Sequence, residues 1–72
     1  MDTEEDSKLY KPEARRLNTL GVTATEAGRH EEALQHFREA ISLEPEWGAP
    51  FNNRAQLYRI LRRDDGILFI YV

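Results

Sequence analysis

The chain has no cysteine, one tryptophan, one methionine and no long hydrophobic run. Without cysteine there can be no disulfide staple, no thiol chemistry and no cysteine-based zinc site. The longest apolar run, Ile67 to Val72, falls far short of the roughly 18 residues a membrane span needs, so no membrane partner is expected. Charge of one sign is also missing. Thirteen acidic residues against ten basic ones give a net charge of -3, which lends no support to nucleic-acid binding by the chain as a whole. Met1 to Asp6 has neither a basic flank nor a following apolar stretch, unlike a signal peptide or a mitochondrial presequence. The expectation is a soluble intracellular protein, cytoplasmic and open to the nucleus. At 72 residues it is at most one small domain, near the size where a lone core needs help from a partner. The 40% apolar content is inflated by the terminal run, so the core is expected within residues 9 to 61.

What is present is helical. Residues 1–12 read as an acidic leader, disordered at least over its first seven residues. Pro12-Glu13 is a first-turn signature, because proline fits the first helical position and glutamate favours the positive end of the dipole. An earlier start that takes in Leu9 and Tyr10 also stands. Leu17, Leu20, Ala24 and Ala27 recur at spacings of three and four, which marks one helical face. Gly28 stops that stretch as a left-handed cap. Ala33, Leu34, Phe37, Ala40 and Ile41 form a second periodic run that ends at Leu43-Glu44-Pro45. A link of about two residues makes the pair an antiparallel hairpin. A third helix is predicted from Ala49 or Pro50 to Arg62, with Phe51, Ala55, Tyr58 and Leu61 inward. Asp64-Asp65-Gly66 reads as a turn, and the uncharged tail after it is β-prone.

The pattern repeats. In a unit from Ala14 to Trp47, positions four, seven, eight and eleven are Leu17, Leu20, Gly21 and Ala24. Later positions bring Gly28, Ala33, Phe37, Ala40 and Pro45. One period of 34 residues on, Phe51 corresponds to Leu17, Ala55 to Gly21 and Tyr58 to Ala24. Small residues at Gly21, Ala33 and Ala40 allow close helix approach, and Phe37 is the bulky knob between hairpin helices. Leu17, Leu20, Phe37, Ile41, Phe51 and Tyr58 are all expected in the core.

This spacing resembles the tetratricopeptide repeat family, apart from Leu17 and Ala24 where tryptophan and tyrosine are usual. The resemblance implies an all-α fold: one helical hairpin and one additional helix, a fragment of a right-handed solenoid. The implied organisation is a leader over 1–12, a complete repeat over 13–47, the first helix of a second repeat over 48–63, and a turn with a divergent tail over 64–72. Closer similarity lies in Gly21-Val-Thr-Ala-Thr-Glu-Ala-Gly28, Ala33-Leu-Gln-His-Phe-Arg-Glu-Ala-Ile41 and Pro50-Phe-Asn-Asn-Arg-Ala-Gln-Leu-Tyr-Arg-Ile-Leu61. It points to family members with an acidic leader and about three repeats, and implies an adaptor associated with heat-shock-70-type chaperones. Some members grip a chaperone's C-terminal carboxylate with a clamp of Lys, Asn and Arg. Here the clamp's first-repeat positions are Asn18 and Val22, which do not match. Asn53 does match, and the third-repeat positions have no counterpart. Chaperone binding is therefore expected on a surface other than a clamp.

Asn18, Asn52, Asn53 and Arg59 are the candidate peptide-binding residues. Asn52 and Asn53 either bond a peptide backbone on the concave face or bridge neighbouring helices. Arg54, Arg59, Arg62 and Arg63 either attract an acidic peptide or form a solvated helix surface. No catalytic constellation emerges, so the chain is not expected to be an enzyme. His30 and His36 are on different faces of one helix, Ser7 and Ser42 have no base nearby, and no glycine-rich phosphate loop occurs. No metal and no cofactor is implied. The third helix lacks the hairpin partner that the repeat pattern calls for, so Leu57, Tyr58 and Leu61 are expected to expose apolar surface. Three outcomes stand: the tail folds over that helix, two chains associate through it, or the chain is a truncated or alternatively spliced product of little independent function.

Overall fold

The computed structural model describes residues 9–65, and side chains up to residue 62. Three helices follow one another: α1, Pro12–Glu26; α2, His30–Leu43; and α3, Gly48–Asp65. No strand occurs among the described residues, so the all-α expectation holds. The leader, expected to be disordered, and the apolar tail lie outside the described residues, apart from the leader's last few positions.

Each boundary has a local cause. Pro12 occupies the first turn of α1, where its missing N–H costs no hydrogen bond, and the Arg15 amide closes that turn on the Lys11 carbonyl at 3.1 Å. At the other end Gly28 adopts φ +82°, a left-handed conformation. The Arg29 amide reaches the Ala24 carbonyl at 2.9 Å, and the Gly28 amide reaches Thr25 at 3.1 Å. Those paired bonds are a Schellman cap, which satisfies carbonyls that the helix end would leave open. The link to α2 covers residues 27–29, one more than expected, because the cap itself takes up the extra residue. Glu31 and Glu32 sit in the first turn of α2, where the dipole favours them. Glu44, ahead of Pro45, leaves the helical region at φ -136° and ends α2.

Helix α3 departs from expectation at its C-terminal end. Asp64 and Asp65 continue the helix instead of forming a turn. Two aspartates cost only a few tenths of a kcal/mol each in helix propensity, too little to stop a helix already propagating.

The core is small and tight. Ala24, Ala33, Phe37 and Leu57 form one buried cluster, with Val22, Leu34 and Leu61 packed against it. Helices α1 and α2 make the hairpin, and α3 docks chiefly on α2. The buried side chains Ala14, Ala40, Trp47 and Pro50 fill the other end, and no polar side chain is buried among the described residues.

Several expected core positions are corrected. Leu20 is exposed, as is Ala27, while Leu17, Ile41 and Tyr58 are half-buried. Successive residues step about 100° round a helix, so Leu20 and Val22 flank Gly21 on opposite sides. Helix α3 covers the Val22 side and leaves the Leu20 side open. On α3 the inward stripe is Pro50, Leu57 and Leu61 rather than Phe51, Ala55 and Tyr58. Phe51 is 40% exposed and Ala55 is exposed, whereas Leu57, expected at the surface, is fully buried. The stripe equivalent to Leu17, Gly21 and Ala24 faces a hairpin partner, and α3 buries a different stripe against α2.

Candidate functional site

The concave face lies between α1 and α3. On α1, Asn18, Val22, Thr25 and Glu26 follow a stripe next to the hairpin stripe, and Gly21 marks the border between the two. On α3, Asn53, Gln56 and Ile60 recur at three- and four-residue spacing and look back at them. Val22, Thr25, Glu26, Asn53, Gln56 and Ile60, together with Phe37, line a cleft of about 210 Å³. Its walls are apolar at Val22 and Ile60. Its rim is polar at Glu26, Gln56 and Asn53.

At one end of this cleft the Asn53 Nδ2 donates to Asn18 Oδ1 at 2.9 Å. Both residues are half-buried, so the bond ties α1 to α3 where water competes only in part. An asparagine amide offers two donors and an acceptor. The pair therefore keeps the Asn18 amide N–H groups and the Asn53 carbonyl oxygen for other partners. Thr25 has its hydroxyl committed already, donating to the Gly21 carbonyl at 2.8 Å. The Glu26 side chain makes no hydrogen bond or ion pair among the described residues, and the last turn of α1 carries no basic residue.

Of the four candidates from sequence, the structure brings Asn18 and Asn53 together and realises the bridging alternative for Asn53. Asn52 and Arg59 are exposed and do not line the cleft. Sequence reasoning did not find Glu26, Gln56 and Ile60. Their signal was the second stripe at three- and four-residue spacing beside the stronger hairpin stripe. Arg54 is also engaged, with its guanidinium 5.4 Å from the Phe51 ring centre. Among the described residues no group of three histidine, aspartate or glutamate side chains is placed to hold a metal ion. No helix there is long and apolar enough to cross a membrane.

Away from the cleft, the start of α1 is fastened to the α2–α3 loop. Tyr10 stacks on Trp47 with ring centres 5.2 Å apart and planes 19° from parallel. Beside it the Lys11 amide donates to Glu44 Oε2 at 2.9 Å.

Residues 14–47 match the tetratricopeptide repeat family model. The chain is 42% identical to Tetratricopeptide repeat protein 36 of Danio rerio, over 79% of this chain and 33% of the relative. Against the proteins of the same name from Mus musculus and Homo sapiens, identity is 48% over 61% of the chain and 44% over 67%. Those matches cover 24% and 25% of the relatives. The chain thus spans a quarter to a third of the length of the curated relatives it matches. No solved structure gives a significant match.

Proposed function

Residues 14–47 are a tetratricopeptide repeat, and from that premise we propose that the chain is a non-enzymatic protein-interaction module binding a peptide segment on its α1–α3 face. Repeats of this family support protein–protein interaction as the general role. The observation that carries the finer reading is the Asn18–Asn53 bond at the end of the cleft. A peptide backbone presents alternating N–H and C=O groups. The spare donors of Asn18 and the spare acceptor of Asn53 are a matching set for one such pair. The test is to select octapeptides from a displayed library against the 72-residue chain and measure their affinity by calorimetry. Asn53→Ala is expected to weaken the selected peptides about three- to tenfold, the worth of one or two hydrogen bonds. Unchanged affinity would overturn the assignment of this face.

Association with a heat-shock-70-type chaperone, in the cytoplasm, is a narrower proposal supported by the family resemblance. Asn18 and Val22 stand where a carboxylate clamp needs other side chains, so the contact is proposed to be of a different kind. The full-length chaperone is expected to bind and its isolated C-terminal peptide to fail. Micromolar binding of that peptide would sink the proposal.

A second reading, self-association through α3, is favoured by one observation. Phe51 lies 40% exposed on the stripe that corresponds to the hairpin stripe of α1.

A further inference from the structure

The cleft between α1 and α3 has a size and a charge that narrow what it can hold. A cofactor- or drug-sized ligand needs about 300–1,000 Å³, whereas a cavity of about 150 Å³ already holds a benzene-sized group. At about 210 Å³ the cleft matches a single leucine-, isoleucine- or phenylalanine-sized side chain. Val22, Ile60 and Phe37 give that side chain an apolar seat.

The charge at the rim has one sign. Glu26 lines the cleft and pairs with nothing among the described residues. It sits on the last turn of α1, where the helix dipole adds its own partial negative charge and no basic residue offsets either. Arg29, the nearest cation along the chain, is held by Glu32 at 3.2 Å. Opposite Glu26 the lining residues of α3 are the neutral Asn53, Gln56 and Ile60, and Arg59 stays outside. A single unpaired carboxylate beside an apolar seat favours a cation next to an apolar group.

We propose that the cleft seats one bulky apolar side chain of a partner segment, with an adjacent lysine or arginine pairing with Glu26. The inference rests on the reading of the α1–α3 face as a binding surface and adds the chemistry of its ligand. It sets the preferred ligand apart from an acidic peptide tail.

The test uses three labelled seven-residue peptides that differ only at their centre: Lys-Leu-Lys, Lys-Ala-Lys and Glu-Leu-Glu between serine and glycine flanks. Each is titrated by fluorescence anisotropy against the 72-residue chain and against its Glu26→Lys variant at low salt. A lysine near a helix C-terminus suits the dipole, so the variant is expected to keep its helicity, with circular dichroism as the check. On the unaltered chain Lys-Leu-Lys should bind several-fold tighter than Glu-Leu-Glu, the worth of an exposed ion pair, and about tenfold tighter than Lys-Ala-Lys, the worth of a buried apolar side chain. In Glu26→Lys the preference between Lys-Leu-Lys and Glu-Leu-Glu should invert. Equal binding of those two, an unchanged preference in the variant, or no binding of any of the three would overturn the inference. The library-selected peptide, measured in parallel, separates the two levels. If it still binds and Asn53→Ala weakens it, the binding face stands and only its ligand chemistry is wrong. If it no longer depends on Asn53, both fall.

Discussion

Gly21 of α1 lies against the Phe37 ring of α2, and a Cβ built on Gly21 would overlap three of that ring's atoms. The ring is buried in the core cluster, so moving it aside would disturb the packing around it. Gly21→Ala would gain about 1 kcal/mol in helix propensity. Overpacking of this kind costs about 1–3 kcal/mol, and with a rigid ring as neighbour the cost is expected to win. The variant should lose up to about 2 kcal/mol, read from urea unfolding. Adding Phe37→Leu should make the double variant less unstable than the sum of the two changes, because the smaller side chain relieves the overlap.

Two other glycines are expected to respond in different ways. Gly28 holds φ +82° with open space where a Cβ would go, so its requirement is conformational and not steric. Gly28→Ala should cost about 1–2 kcal/mol, and Gly28→Asn less, since asparagine tolerates the left-handed region. Gly48 opens α3 without a positive φ and also has open space about it. Gly48→Ala should stabilise by about 0.4–1 kcal/mol through the unfolded chain. Thermal melts of the three alanine variants should rank Gly48 above the parent, and the parent above the other two.

The Tyr10–Trp47 stack gives the start of α1 a spectroscopic reporter, because Trp47 is the chain's single tryptophan. Tyr10→Ala should remove about 0.5–1.5 kcal/mol of stacking and shift the Trp47 emission to longer wavelength as water reaches the ring. An emission maximum that does not move would mean that the indole is shielded by something else.

On α3 the buried and exposed apolar residues are separable. Leu57→Ala should cost about 2–5 kcal/mol, since it empties a fully buried site between α3 and α2. Phe51→Glu should leave the helical signal intact. If α3 mediates self-association, sedimentation velocity should show the parent associating with concentration and the Phe51 variant remaining a monomer.

How far the sequence foretold this structure depends on which stripe of each helix is considered. The hairpin was legible because Gly21, Ala33, Phe37 and Ala40 follow a spacing that two close-packed helices require. Pro12, Gly28 and Pro45 marked its limits through backbone chemistry alone. The docking of α3 was not legible. Repeat equivalence pointed to Phe51, Ala55 and Tyr58, yet those positions answer to a hairpin partner, and the fully buried side chains of α3 are Pro50 and Leu57, with Leu57 packed against Ala33 and Phe37 of α2. Which of two apolar stripes is buried depends on what packs beside the helix, and local periodicity carries no such information. The cleft was barely legible: of the candidate binding residues only Asn53 lines it, with Asn18 bonded to it at one end, whereas Glu26, Gln56 and Ile60 gain meaning only when α1 and α3 lie side by side.

The most direct measurement is a map of amide chemical shifts on the 72-residue chain as a library-selected peptide is added. The largest changes should fall on Val22, Thr25 and Glu26 of α1 and on Asn53, Gln56 and Ile60 of α3, with Glu31, Gln35 and Arg38 on α2 unmoved. Changes centred on α2, or on the Phe51 stripe of α3 without the cleft, would contradict a binding face between α1 and α3.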